Sequence, residues 1–244
     1  MQLISCHAGE LRTLSTMSLV SGRMDKTFRT GMEALDALLP GQAFSRGAVH
    51  ELLMPGGRPM FVAMLLAKAA ADGERSTLNT QRSTFNERIP VECSTFDVGR
   101  SMFTPSSSPI IWCDPGANFY PPAAATAGIP LEQLYLLHPK TTLDQHWAVT
   151  ECLRCRGVAA VVAATDRLSR IQARRLQLAA EGGGGVGILL RPTAGSCEYA
   201  AATRWLVTSA RGERTLQRWK MQLIHGHGGR VGQTVILEYS RETH

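Results

Sequence analysis

Residues 46–71, RGAVHELLMPGGRPMFVAMLLAKAAA, place a glycine-containing turn between a strand pattern and an apolar helix pattern. This order is the frame of a phosphate-binding loop. In such a loop the backbone N–H groups wrap the phosphates, a lysine neutralises the outer phosphates, and a hydroxyl group holds magnesium. The apolar residues lie almost all round the predicted helix, so we expect it to be buried against a sheet.

The turn itself lacks the groups that this chemistry needs. Met54–Met60 is shorter than the pattern G-x-x-x-x-G-K-[ST], and it contains neither the lysine nor the Ser or Thr. Pro55 and Pro59 have no N–H where donors are wanted. We therefore predict a degenerate loop, at a helix N-terminus, that binds anions weakly and does not hydrolyse ATP efficiently, so that no cofactor is expected. Its candidate anion ligands are Gly56, Gly57 and Arg58.

Two aspartates follow apolar runs of strand length. Asp114 comes after IIWC and Asp166 comes after AAVVAA, with Thr165 between. Functional groups of α/β sheets gather at the carboxyl ends of strands, which makes direct chemistry one interpretation. Capping of the following loops is the other interpretation.

The cysteines and histidines indicate no metal site. Six cysteines are scattered along the chain, and only Cys152 and Cys155 have the spacing CxxC. A structural zinc site normally needs four ligands, and no second pair follows. We expect reduced cysteines in a cytoplasmic setting. His225 and His227, in HGHGG, are interpreted as part of a turn.

Charge is unevenly distributed along the 244 residues. Residues 1–150 carry 12 Lys+Arg against 13 Asp+Glu, giving −1, and residues 151–244 carry 14 against 7, giving +7. A basic half favours nucleic acid or an acidic partner, and a solvated arginine-rich surface is the alternative. No apolar run approaches the roughly 20 residues of a membrane span, and the N-terminus does not resemble a secretory signal.

Helix and strand patterns alternate through the middle of the chain, which predicts an α/β fold with a mostly parallel sheet flanked by helices. The last three apolar segments are strand-like with short links, and they predict an antiparallel extension at the C-terminus. Residues 1–28 are interpreted as a flexible leader and residues 29–240 as one domain. Residues 75–109 contain 12 Ser or Thr and are expected to form an irregular insertion.

One predicted helix, residues 168–181, carries an arginine cluster. Arg170 and Arg174 lie one turn apart, with Arg167 beside them. Arg175 falls within the apolar arc, where it is expected to snorkel or to pair. The cluster is a candidate surface for DNA phosphates or for an acidic protein, and a solvated face remains the alternative. Leu168, Leu176 and Ala179 are expected to face the sheet.

Two tryptophans lie beside basic residues in predicted strands. Trp205 follows Arg204, and Trp219 lies between Arg218 and Lys220. Stacking on bases of single-stranded DNA and packing in the core are both open interpretations.

Several motifs in combination resemble the ImuA family of RecA-like bacterial proteins. They are TGMEALDALLPGQAFSRGAVHELLMPGG, WCDPGANFYPP, DRLSRIQARRLQLAAE with VGILLRP, and AATRWLVTSA with RWKMQLIHGHGGRVG. The resemblance covers roughly residues 29–240, interrupted by the Ser/Thr-rich insertion.

This resemblance implies a RecA-like fold and a role in SOS-induced, error-prone translesion synthesis. The implied partners are a Y-family-like polymerase homologue and, in the same cassette, an error-prone C-family polymerase, with RecA and DNA as further candidates. The RecA phosphate-loop lysine and catalytic glutamate are missing here, so RecA's ATPase residues do not carry over. A divergent DNA-binding ATPase and a SulA-type inhibitor of cell division stay open as alternatives.

Overall fold

The computed structural model describes residues 26–55, 60–82, 108–165, 168–192, 201–210 and 216–240, with the backbone of a hairpin at 4–7 and 10–13. Side chains are described through residue 73 of the segment 60–82. No helix in this part of the chain is long and apolar enough to cross a bilayer.

The described chain contains twelve strands and five α-helices. The strands are β1 (Ile4–His7), β2 (Glu10–Thr13), β3 (Thr27–Phe28), β4 (Phe44–Ser45), β5 (Ala48–Met54), β6 (Ile110–Cys113), β7 (Leu134–Leu137), β8 (Ala160–Ala164), β9 (Val186–Pro192), β10 (Thr203–Ala210), β11 (Leu216–Gly226) and β12 (Thr234–Ser240). The helices are α1 (Glu33–Asp36), α2 (Met60–Arg82), α3 (Pro121–Thr126), α4 (Thr142–Arg154) and α5 (Arg170–Gly183).

Eight strands form one sheet in the order β12-β11-β10-β5-β9-β8-β6-β7. The six strands from β10 to β7 are parallel, and β11 and β12 add to β10 as antiparallel neighbours. The predicted fold class, a mostly parallel sheet flanked by helices with an antiparallel C-terminal extension, is confirmed. The strand β5, which precedes the predicted phosphate loop, lies in the interior of the sheet.

Both faces of the parallel region are covered, which explains its nearly unbroken apolar strands. Leu52 and Met54 of β5 point into a core shared with α2 and α3, and Val49 points into a second core shared with α4 and α5. Side chains of a strand alternate between faces, so each core receives every second residue.

The helix α2 ends later than the composition indicated. It runs to Arg82, eight residues into the segment interpreted as an irregular insertion. Apolar spacing fades after Ala71, but no proline follows α2's first residue until Pro90. Polar residues disfavour a helix much less than proline does, so the helix continues through them. Residues 83–107, the greater part of the predicted insertion, lie outside the described residues.

The N-terminal segment contains β-strands where the structure describes it. The strands β1 and β2 pair antiparallel, and β3 pairs with β4. Phe28, at the end of the predicted leader, is buried and stacks on Phe44 with ring centroids 5.5 Å apart. The chain is therefore attached to the domain before residue 29.

Local sequence signals set the ends of α4 and α5. The hydroxyl of Thr141 accepts a hydrogen bond from the backbone N–H of Asp144 and so caps the first turn of α4. Ser169 and Gln172 form a reciprocal capping box at the start of α5. Gly184 ends α5 in the left-handed region, with φ 84°, which a residue with a Cβ adopts at a cost.

A buried histidine ties β5 to its surroundings. The ring of His50 contacts the Thr203 hydroxyl through Nδ1 at 2.8 Å and the Ser45 carbonyl through Nε2 at 2.9 Å. The carbonyl oxygen only accepts, so Nε2 carries a proton. Burial, opposed by the hydrogen bond to Ser45, lowers the pKa of His50 from 6.5 to about 4.

This pKa predicts a pH-dependent stability. The unfolded chain takes up the His50 proton near pH 6.5 and the folded chain only near pH 4, so the free energy of unfolding falls as the pH drops through this window. The slope from this one group approaches about 1.4 kcal/mol per pH unit. Urea titrations at several pH values measure how the free energy of unfolding depends on pH. His50→Gln should remove the contribution of His50 to this dependence and leave the contribution of the other histidines unchanged. Equal slopes for the two proteins would contradict the prediction.

Candidate functional site

The frame of the predicted phosphate loop is present at the carboxyl edge of the sheet. The strand β5 ends at Met54, Pro55 forms a turn, and α2 begins at Met60. The predicted order of strand, turn and helix is therefore confirmed. Gly56, Gly57 and Arg58 lie outside the described residues, and their role as anion ligands stays a prediction.

Aromatic packing holds the first turn of α2 against the antiparallel strands. Phe61 stacks on Trp219 with centroids 5.4 Å apart and meets Tyr239 edge-on at 4.6 Å. Trp219 is buried by this contact, and Trp205 is buried completely, donating its indole N–H to the Thr203 hydroxyl. The interpretation of these two tryptophans as base-stacking platforms is therefore wrong, because their ring faces are covered by protein.

A buried ionic cluster lies near the carboxyl end of β5. Glu51 of β5 accepts from Arg191 Nη1 of β9 at 2.8 Å and from Arg204 Nε of β10 at 2.8 Å. All three side chains are buried. One carboxylate therefore joins three adjacent strands on the face that α5 covers, and the three charges sum to +1.

This cluster was not identified from the sequence. The available signal was a single charged residue inside each of three apolar strand patterns, VHELLM, GILLRP and TRWLV. Isolated charges at buried strand positions need partners. Their mutual pairing depends on the strand order β9-β5-β10, which spans more than 150 residues of sequence from Glu51 to Arg204.

Asp114 caps a loop. Its carboxylate is buried and accepts from the backbone N–H groups of Gly116 at 3.2 Å and Asn118 at 2.6 Å. The second of the two interpretations of this residue, loop capping, is therefore the one that the contacts support. Asp166 lies outside the described residues.

The CxxC pair is poorly suited to bind a metal. Burial, with a contribution from the nearby Glu151, raises the pKa of the Cys152 thiol to about 11, so the thiol is protonated at neutral pH. Cys155 is disulfide-bonded, so the expectation of reduced cysteines is wrong for this residue. No cluster of three metal-ligating side chains occurs within the described ranges.

The arginine cluster of α5 faces solvent. Arg170 and Arg174 are exposed, and Arg174 lies 3.9 Å from Glu181. Arg175 is also exposed, which is compatible with the predicted snorkelling of its side chain. Leu168, Leu176 and Ala179 are buried as predicted. Arg167 lies outside the described residues.

Four large apolar side chains on α4 and α5 are also exposed. On α4, Leu143 is 79% exposed and Trp147 is 68% exposed. On α5, Ile171 is 67% exposed and Leu178 is 48% exposed. The two helices lie side by side on one face of the sheet. A contact of 2.8 Å between His146 Nδ1 and Gln172 Nε2 links them near their N-termini.

The fold and the loop frame define an open α/β sheet protein of the class that places ligands at the carboxyl edge of parallel strands. Comparison with known proteins finds similarity to Protein ImuA from two strains of Caulobacter vibrioides. In both cases the sequences are 26% identical over 144 aligned positions, which cover 52% of this chain and 59% of the relative. The chain thus spans 59% of the length of the curated relatives that it matches. No family model matches the sequence.

Proposed function

We propose that this chain is a non-catalytic, RecA-like accessory protein in SOS-induced, error-prone translesion DNA synthesis, and that it acts in the cytoplasm by docking onto a Y-family-like polymerase homologue. The similarity to Protein ImuA carries the assignment to damage-induced mutagenesis. Contact with RecA, an error-prone C-family polymerase or DNA would be additional to this docking.

The composition of the loop after β5 supports a role without catalysis. The sequence MPGGRPM supplies one arginine, no lysine and no hydroxyl group. A magnesium-bound triphosphate needs both the cation and the hydroxyl ligand. The charged side chains nearest to the loop on β5 and β9, Glu51 and Arg191, are bonded to each other and are buried. Their pairing joins the two strands.

Two measurements on the full chain test this function. Calorimetric titration with ATP and magnesium, and a phosphate-release assay, are expected to show no turnover above a protein-free control. Titration with a purified Y-family-like polymerase homologue from the same organism is expected to show a stable complex. Arg58→Ala, which removes the only side-chain cation of the loop, should leave that complex unchanged.

Each result has a contrary outcome. Micromolar binding of ATP with magnesium-dependent turnover would replace the accessory role with a divergent ATPase. Absence of a complex with the polymerase homologue would remove the proposed partner. Filament formation by cells that overexpress the protein would favour an inhibitor of cell division.

A further inference from the structure

The strand β12 forms one edge of the large sheet. Among the described strands it has β11 on one side and no neighbour on the other. It is seven residues long, Thr234–Ser240, whereas β7 at the opposite edge has four residues. An edge strand presents a row of unpaired backbone N–H and C=O groups, which makes it a template for a further strand.

The features that usually protect a sheet edge are weak in β12. The segment TVILEYS contains no proline, and its pairing with β11 continues from Thr234 to Ser240 without a bulge. Its only charged side chain, Glu238, pairs with Arg218 of β11 at 2.7 Å. An edge of this length and regularity is therefore suited to pairing with another strand.

One face of β12 is anchored in the core of the domain. Leu237 is buried in the core cluster that α2 also joins. Tyr239 donates its hydroxyl to the Thr126 carbonyl at 2.8 Å and meets the ring of Phe61 edge-on at 4.6 Å. The strand is thus held in its extended form before any partner binds, which lowers the entropy lost on pairing.

The ladder with β11 determines which backbone groups of β12 point outward. At the start of this ladder the N–H of Leu223 donates to the C=O of Gln233 at 3.1 Å. In an antiparallel ladder the backbone groups of successive residues alternate between the two sides of a strand. The backbone groups of alternate residues therefore point to the open edge, and these residues are Thr234, Ile236 and Glu238.

The same three residues present a self-complementary set of side chains. Ile236 is 58% exposed, and Thr234 and Glu238 on either side of it are exposed as well. If two copies of β12 pair antiparallel around a two-fold axis at Ile236, the two isoleucines lie opposite each other. Thr234 of each copy then lies opposite Glu238 of the other, so a hydroxyl donor faces a carboxylate and like charges stay apart.

Other registers of the same pair fit less well. A shift by one residue would oppose outward-pointing backbone groups to groups that already bond to β11. Moving the two-fold axis to Leu237 keeps the ladder but places Ile236 opposite the carboxylate of Glu238. Moving the axis to Val235 places Glu238 beyond the end of the other strand, which begins at Thr234.

We propose that β12 pairs with β12 of a second copy of this chain, antiparallel and with the two-fold axis at Ile236, so that the sheet continues from one copy into the other. This dimer does not depend on the proposed function, because it involves neither the loop after β5 nor the polymerase homologue.

Analytical ultracentrifugation of the full chain over a range of concentrations tests the proposal. The unmodified chain is expected to change from monomer to dimer as its concentration rises. Ile236→Lys and Ile236→Glu each place like charges opposite one another on the axis, so each should raise the dissociation constant of the dimer at least about tenfold. An equal mixture of the two variants should form a heterodimer, because the lysine of one copy then faces the glutamate of the other.

Two further variants separate edge pairing from other effects. Ile224→Lys is the matched control, because Ile224 is 40% exposed but lies on β11, which has a strand on both sides. This control should dimerise as the unmodified chain does. Ile236→Pro removes an N–H that points away from β11, so it should weaken the dimer and leave the circular dichroism spectrum unchanged.

Four results would overturn the proposal. A chain that stays monomeric at every concentration would show that β12 does not pair with a second copy. A dimer that tolerates both charged variants would place the interface on another surface. Charged variants that stay monomeric when mixed would refute the pairing at Ile236. Loss of the complex with the polymerase homologue in Ile236→Lys, from a monomeric unmodified chain, would assign the edge to a strand of that partner.

Discussion

Glu51→Gln is expected to lower the free energy of unfolding by about 3–5 kcal/mol. The substitution keeps the size of the side chain and removes its charge. It therefore leaves the Arg191 and Arg204 guanidinium groups in a buried position without the carboxylate that now accepts from both. Removing one member of a buried ionic cluster costs far more than the cluster contributes to stability, because the remaining charges stay desolvated. Such a loss is a large share of the roughly 5–15 kcal/mol that stabilises a typical domain.

Urea unfolding followed by circular dichroism measures this effect. Glu238→Gln is the matched control, since Glu238 pairs with Arg218 at 2.7 Å but both side chains are partly exposed. Exposed pairs contribute no more than about 1 kcal/mol, so the control should unfold almost as the unmodified chain does. If Glu51→Gln changed the free energy of unfolding by less than about 1 kcal/mol, other groups would be stabilising the two arginines. The structural role assigned to the cluster would then be wrong.

Gly183→Ala is expected to destabilise the chain by about 3 kcal/mol or more, although alanine is the better helix former. A Cβ at this position would lie 2.0 Å from the carbonyl oxygen of Leu153 and 2.9 Å from the carbonyl carbon of Arg154. Both are backbone atoms at the end of α4, so the clash cannot be relieved by a side-chain rotation. The last turn of α5 has to move away from α4, which opens the buried contact between the two helices.

Gly182→Ala is the control in the same turn of the same helix. A Cβ at Gly182 meets no atom within 4 Å, so this variant should be neutral or more stable by up to about 1 kcal/mol. In thermal and urea unfolding, the changes in the free energy of unfolding should therefore have opposite signs for the two variants, or be close to zero for Gly182→Ala. Equal stability of the two variants would contradict the close approach of α5 to α4.

Several features of the fold were predictable because they depend on neighbours in sequence. The apolar run at residues 158–164 indicated a strand covered on both faces, and β8 is such a strand. A Thr hydroxyl favours the start of a helix and glycine favours its end. Thr141 caps the start of α4, and Gly184, within the glycines 182–185, caps the end of α5. The alternation of basic and apolar residues around Trp219 indicated a strand with one buried face, which β11 confirms.

Other features depended on which segments meet in space. Composition indicated an irregular chain from residue 75, but helix propensity differences are small and α2 continues to Arg82. Helical spacing alone placed Arg175 on the apolar side of α5. In the structure the buried side of α5 is narrower than this arc, and Ile171, Arg175 and Leu178 are all exposed.

Residue types and their spacing thus establish the α/β class, the antiparallel extension, the missing lysine and hydroxyl of the loop after β5, and the resemblance that the similarity to Protein ImuA supports. These properties are local, or are carried by short motifs. The pairing of Glu51 with Arg191 and Arg204, and the contact of His146 with Gln172 across two helices, became visible only in three dimensions. Strand order and helix packing bring together residues that are far apart in sequence, and no short motif encodes which distant charge or apolar row will be the neighbour.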